Sequence, residues 1–188
     1  MNARHVLDTR PRRRGFLLGL AGLSSLTFVP KLAAAAAQEG ERRLAMMDMR
    51  RREDLEVAYW RDGDYRPPAC EQLDRLLRDH YNDEVIEMDR GLFDVLYTLH
   101  EHLGVKDEYR VTCGYRSPQT NAWLAKRRRG VASNSLHMVG KAIDLYLPGV
   151  KLRTLRDAAR ELGRGGVGYY PRQGFVHLDV GDVRYWAG

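Results

Sequence analysis

Three residues in the carboxyl-terminal half are of types that bind transition metals. His137 and Asp144 stand seven positions apart in "SNSLHMVGKAIDLYLPG", and His177 lies in "FVHLDVG". Two imidazoles and a carboxylate suit a catalytic zinc ion, which commonly keeps its fourth position for water. A spacing of seven is too long for the i,i+4 pair of a helical zinc motif, so a shared site needs a turn followed by a strand and a third donor from elsewhere. An ordinary reading competes with this one: His177 is then a buried histidine paired with Asp179, and Asp144 is a turn residue. Residue types alone leave both open.

The elements that would carry these groups alternate in the right sense. "KAIDLYL" reads as a strand with Ala142, Asp144 and Tyr146 on one face and Ile143, Leu145 and Leu147 on the other. "FVHLDV" repeats the pattern, with His177 and Asp179 on one face and Val176, Leu178 and Val180 beneath. Asp179 could then orient a ligand histidine or accept a proton from metal-bound water.

Upstream, "RLAMMDM" and "LEVAYWRDGDY" read as strands, the second with an Asp-Gly turn at Asp62 and Gly63, and Pro67 and Pro68 stop extended structure. "CEQLDRLLRDHY" and "DRGLFDVLYTLHEHLG" read as core-covering helices, the second ended by Gly104. Tyr109 to Cys113 is a strand leading into a turn, a short helix then carries Trp123 and Leu124, and "KLRTLRDAARELG" is a helix closed by Gly163. Helices clustered between strand hairpins predict an α+β single domain, a small mainly antiparallel sheet flanked by helices. His80, His100 and His102 read as surface or hydrogen-bonded histidines, and His100 and His102 cannot share a helix face.

"CGYRSPQTN", "GVASNSLHMVGKAIDL", "GGVGYYP" and "FVHLDVGDVRYW" together resemble the exported murein endopeptidase K branch of the zinc D-alanyl-D-alanine peptidase and hedgehog-like superfamily, from about Leu44 to Trp186. The resemblance implies one Zn2+ per chain on His137, Asp144 and His177. It implies Arg116 as the positive group facing substrate and Ser135 as support for the first ligand's loop, with Tyr115, Tyr169 and Tyr170 as further candidates for lining the groove. The implied activity is hydrolysis of peptide crosslinks in bacterial peptidoglycan, at bonds involving D-alanine and diaminopimelate. Carboxypeptidase-like members place a glutamate three residues before the last histidine, where this chain has Gly174. Asp179 is the nearest substitute in sequence. A D,D-carboxypeptidase, or a noncatalytic metal-containing module that binds cell wall or protein, are the alternatives. Acylation of a serine is disfavoured, because Ser117 and Ser135 lack the S-x-x-K and G-x-S-x-G contexts.

Composition bounds the setting. "RRRGFLLGLAGLSSLTFVP", followed by "KLAAAAAQEG", has the basic head, apolar run and small residues of an export signal, and Arg12 to Leu17 resemble the twin-arginine consensus. Residues 1–37 are thus expected to be a signal and 38–188 the working domain. The expected location is the periplasm or cell envelope, reached through the export machinery for folded proteins, with no stable membrane insertion after cleavage. An uncleaved amino-terminal anchor is the alternative.

The chain has 31 Lys plus Arg against 25 Asp plus Glu, and residues 1–37 hold six and one of these, leaving about +1 beyond them. The basicity therefore belongs mainly to the signal, and without a basic-aromatic repeat no nucleic acid partner is expected. Cys70 and Cys113 are the only cysteines; an oxidising compartment permits a bridge between them, and two free thiols fit as well.

Overall fold

A computed structural model describes residues 40–128 and 130–188; the expected signal at 1–37 lies outside the described residues. Eight strands form one mixed sheet: β1 (Glu41–Asp48), β2 (Glu53–Arg61), β3 (Asp64–Tyr65), β4 (Tyr109–Cys113), β5 (Ala142–Tyr146), β6 (Gly166–Tyr170), β7 (Phe175–Asp179) and β8 (Arg184–Ala187). The order across the sheet is β3-β2-β1-β4-β5-β7-β6-β8. The β1–β4 and β6–β8 pairs are parallel and the others antiparallel, so the α+β, mainly antiparallel architecture holds.

Four helices accompany it: α1 (Pro67–Leu76), α2 (Arg90–Leu103), α3 (Pro118–Ala125) and α4 (Leu152–Leu162). The prolines read from sequence as a stop are also a start, for Pro67 and Pro68 occupy the first turn of α1. Proline is tolerated there because those amides have no intrahelical acceptor. The helix ends at Leu76, so His80 and Tyr81 stand in the following loop and not on a helix as the sequence pattern predicted. Asp89 caps α2 by accepting from the Gly91 amide, and Gly104 and Gly163 end α2 and α4 in the left-handed conformation.

The core lies on one side of the sheet. Leu44 and Met46 of β1, Ile143 and Leu145 of β5, and Val176 and Leu178 of β7 pack with Leu92, Leu96 and Leu99 of α2 and Leu155 of α4. Strand alternation therefore turns Asp144 and His177 to the other side. Among the described residues, no helix is long and apolar enough to cross a membrane.

Cys70 and Cys113 are both free here, the second of the two arrangements that the sequence left open. Cys70 is buried in the first turns of α1, with its thiol towards the Tyr59 carbonyl at 3.7 Å. Cys113 ends β4 beside Arg116, so the two side chains serve different surroundings.

Candidate metal centre

The site is built by register. Across β4, β5, β7, β6 and β8, Cys113 faces Asp144, Asp144 faces His177, His177 faces Gly168, and Gly168 faces Trp186. Gly168 is required by this row: a Cβ there would come within 2.6 Å of the Trp186 ring, which packs beside His177 at 5.2 Å between centroids.

Cys113 joins the row through a bulge. Val111 pairs with Leu145 and Cys113 with Asp144, so Thr112 is an extra residue on β4. A bulge of this kind re-aims the side chain that follows it. Without it, Cys113 would share the core face of Val111; with it, the thiol turns to the face of Asp144.

His137 arrives from outside the sheet, on a 3-10 turn at Leu136–Val139. Gly140 ends that turn at φ +67, and a Cβ there would lie 2.8 Å from the Glu87 carbonyl, so glycine is needed both for the backbone angle and for the close approach. The Arg116 amide donates to the His137 carbonyl at 3.1 Å, tying the turn to the "CGYRSP" segment.

Hydrogen bonds fix which nitrogen of each histidine is free. His137 Nδ1 lies 2.7 Å from the Gly114 carbonyl, an obligate acceptor, so this nitrogen carries the proton and Nε2 is left as a lone pair. His177 Nε2 lies 3.0 Å from the Asp179 carboxylate and Nδ1 2.8 Å from Asp144; a proton held on the Asp179 side leaves Nδ1 as a lone pair, the tautomer that binds a metal. The two freed nitrogens are 3.2 Å apart, and Asp144 Oδ1 is 3.3 Å from the first and 2.8 Å from the second. Three electron-pair donors thus converge at one largely buried place.

Such a cluster calls for a cation. Burial opposes the charged form of His137, yet Asp144 and Cys113 outweigh it and push its pKa up to about 10, so a proton and a metal ion compete for Nε2. Burial likewise disfavours the Asp144 carboxylate, and the two histidines more than reverse this and hold its pKa well below the usual range. Two of the three donor separations, 3.2 and 3.3 Å, match the edges of a tetrahedron whose bonds are about 2.0–2.1 Å, the zinc–nitrogen and zinc–oxygen length, and the third, 2.8 Å, is shorter. These residues therefore fit one zinc ion. Cys113, His137 and Asp144 form an overlapping trio, with donor atoms within 4.8 Å of one another, so the thiol stands on the β4 side of Asp144 opposite His177. Sequence reasoning missed Cys113, because simple alternation along β4 carries no mark of the bulge.

Asp179 sits behind His177. Its Oδ1 accepts from the amides of Gly166 at 3.1 Å and Gly181 at 2.9 Å, and Arg184 reaches both oxygens, at 3.1 and 2.7 Å. Burial raises its pKa, but His177, the Gly181 amide and Arg184 bring it down to about 2. Of the two tasks open to it from sequence, orienting the imidazole is the one its contacts serve. Gly174 lies in the β6–β7 turn at φ +80, a backbone angle unsuited to the glutamate that carboxypeptidase-like members place there.

A groove of about 1020 Å³ runs over these groups. Arg116 lines it, bonded through Nη1 to Asn121 at 3.1 Å and through Nη2 to the Cys113 sulfur at 3.5 Å, with its buried Nε unpartnered. Tyr115 is part of the wall, 4 % exposed, with its hydroxyl donating to Glu84 at 3.0 Å. The Ser135 carbonyl accepts from the Met138 amide at 3.0 Å, while its hydroxyl makes no capping bond, so it supports the His137 turn through its backbone. Tyr170 lines the groove and accepts from the Trp186 indole at 2.8 Å, whereas Tyr169 lies under Arg156. Of the remaining described histidines, His80 lines the groove but pairs with Asp48, His100 stacks on Tyr109 and His102 meets Glu161.

Comparison with known proteins agrees with this site. The family described as Peptidoglycan L,D-endopeptidase MepK matches residues 35–186. The probable peptidoglycan L,D-endopeptidase MepK of Haemophilus influenzae is 45% identical over 125 residues, 66% of this chain and 67% of the relative. The peptidoglycan L,D-endopeptidase MepK of Escherichia coli K12 is 34% identical over 175 residues, covering 93% of this chain and 96% of that protein. With a match of this extent over the strands, the 3-10 turn and the groove just described, the chain belongs to the peptidoglycan L,D-endopeptidase MepK family.

Proposed function

We propose that this protein is a zinc-dependent endopeptidase that hydrolyses peptide crosslinks of bacterial peptidoglycan, at the L,D bonds named for its relatives, with His137, Asp144 and His177 as the metal donors. The observation that carries the reading is the convergence of three lone-pair donors within 2.8–3.3 Å at the floor of the groove. Zinc held there supplies a water of lowered pKa and polarises the scissile carbonyl.

The chain's own residues do the rest. Gly114 and Asp179 hold the two imidazoles in the tautomers that expose Nε2 of His137 and Nδ1 of His177. Arg116 lines the groove with a guanidinium fixed by Asn121, placed for a peptide carboxylate or for negative charge developing in the transition state. Trp186 and Tyr170 wall the opposite side and limit water. Asp179 acts as a positioning residue, because His177 stands between it and the donor cluster.

The test is a digest of purified crosslinked muropeptides, read by mass spectrometry. New amino termini from dimers, abolished by a chelator and restored by zinc, are expected. Release of terminal D-alanine alone would instead make the protein a carboxypeptidase, and binding without any product would make it a noncatalytic module. The same reading has residues 1–37 direct export of the folded domain to the periplasm. Replacing Arg13 and Arg14 with lysine then leaves precursor inside the cell, and unaltered export of that variant would refute the twin-arginine route.

A further inference from the structure

The groove has a second feature that hydrolysis does not use. Tyr81, which lines it, meets Trp123, 42 residues away in sequence, with ring centroids 5.2 Å apart, and each is left 42 % exposed. The Arg50 guanidinium lies 4.3 Å from the centroid of Tyr81, and that of Arg127 lies 4.3 Å from the centroid of Trp123. The result is a ladder of cation, ring, ring and cation, and Arg50, Tyr81 and Arg128 also line the groove.

The ladder is built, and does not arise by chance exposure of two side chains. Asp79, fully buried, accepts from the Tyr81 amide at 2.7 Å through Oδ1 and from the Ser117 amide at 2.7 Å through Oδ2. Ser117 caps α3, the helix that carries Trp123, by accepting from the Thr120 amide at 3.2 Å. Asn82 adds a bond to the Ser117 hydroxyl at 3.2 Å. One carboxylate thus fixes the backbone of both ring-bearing segments, and no core packing explains why the rings themselves remain in water.

We propose that this ladder is the subsite for the glycan strand to which the peptide crosslinks are attached. The inference rests on the peptidoglycan reading of the metal centre and extends it from the cleaved peptide to the sugar polymer. Pyranose rings have apolar C–H faces that lie on aromatic surface, and amino sugars of the wall carry N-acyl carbonyls and hydroxyl oxygens that accept hydrogen bonds. A strip of exposed rings bounded by guanidiniums matches that alternation of apolar face and hydrogen-bond acceptor. A wholly apolar partner would have to desolvate Arg50 and Arg127 without pairing them, which is costly. A peptide end bound near Arg116 and a sugar bound on the ladder would occupy one groove together, so the two subsites are suited to a branched substrate and not to a free peptide.

The experiment compares the wild-type protein with Trp123→Ala on two substrates. One is intact crosslinked peptidoglycan, and the other is the crosslinked peptide dimer freed of sugar by an amidase. The variant is expected to lose about tenfold in kcat/KM on the polymer, through KM, and to stay within about twofold on the dimer. Zinc content and thermal unfolding, measured on the same preparations, report whether the variant has kept its fold. Peptide-free glycan chains should also quench tryptophan fluorescence of the wild type and not of the variant, a readout independent of turnover. Equal losses on both substrates, or no loss on either, would overturn the subsite. So would a wild-type dimer that Trp123→Ala converts to monomer, since the ladder would then be a contact between copies. If the wild type cleaves neither substrate, the endopeptidase reading fails, and the fluorescence titration still decides whether the glycan binds.

Discussion

At the metal centre, Cys113, Asp144 and His177 come from three hydrogen-bonded neighbouring strands, and their spacing is the spacing of the sheet. At the ring ladder, Tyr81 comes from a loop and Trp123 from an eight-residue helix, and the two are brought together by one buried carboxylate. The donors are buried and the rings are half in water. Groups that must stay within tenths of an ångström of one another sit where the backbone ladder fixes them, while groups that meet a large, variable polymer sit on segments held at one point. A change in either region should therefore leave the other nearly intact.

The largest effect expected is at the centre, in a graded series. Alanine at His137, Asp144 or His177 removes bound zinc and brings activity to background, with the glycan-induced fluorescence change retained. Asp179→Asn keeps much of the zinc and loses about 10–100-fold in kcat/KM, the usual cost of removing the group that orients a ligand histidine. Elemental analysis and rate measurement on one preparation check the order. Full zinc and full activity in Asp179→Asn would remove its positioning role, and loss of glycan binding in the alanine variants would mean that the two regions are coupled.

A smaller effect belongs to the rim. Burial pushes the Asp79 pKa up, but hydrogen bonds from Thr120 and from the amides of Tyr81 and Ser117 outweigh it, and the net shift is down. A carboxyl lowered on folding contributes stability that is present above its unfolded pKa, about 3.9, and is lost as pH falls through the folded value. Asp79→Asn should thus cost about 1–3 kcal/mol at neutral pH. The gap between wild type and variant should close as pH falls below about 4. Thermal unfolding across pH checks this, with zinc content at neutral pH unchanged; a gap that stays constant into acid would show that the carboxylate charge is not what holds the rim.

Much of the centre was legible in the sequence because strand alternation has a period of two. Asp144 and His177 each lie between aliphatic residues, and that is enough to turn them to the open face. Parity says nothing about which strand neighbours which, so the pairing of Asp144 with His177, and of both with Cys113 and Gly168, could come only from the sheet order. Cys113 was hidden for a further reason: the bulge at Thr112 reverses parity without a sequence signal such as glycine. The family resemblance supplied the ligand set that the residues by themselves left open against a buried His177–Asp179 pair; in the structure the pair and the cluster coexist, on the two sides of one imidazole.

The rim was illegible, since nothing local links Tyr81 to Trp123, and the periodicity that extended the first helix to Tyr81 put that residue on the wrong element. Gly174 shows a different case, where the resemblance singled out one position: the missing glutamate is a turn glycine with positive φ.

The distance along the chain between the donors has a consequence for how the molecule is held together. His137 and His177 are 40 residues apart, and everything from β5 to β7 lies between them. An ion gripping both closes a loop of that length, and a covalent link over the same span would stabilise by about 4 kcal/mol through the lost freedom of the unfolded chain. An ion on the proposed donors would therefore be a fastener as well as a reagent: it would make the carboxyl-terminal strands, which among the described residues join the sheet through β5, harder to peel away, and would tie the lifetime of the fold to the supply of metal.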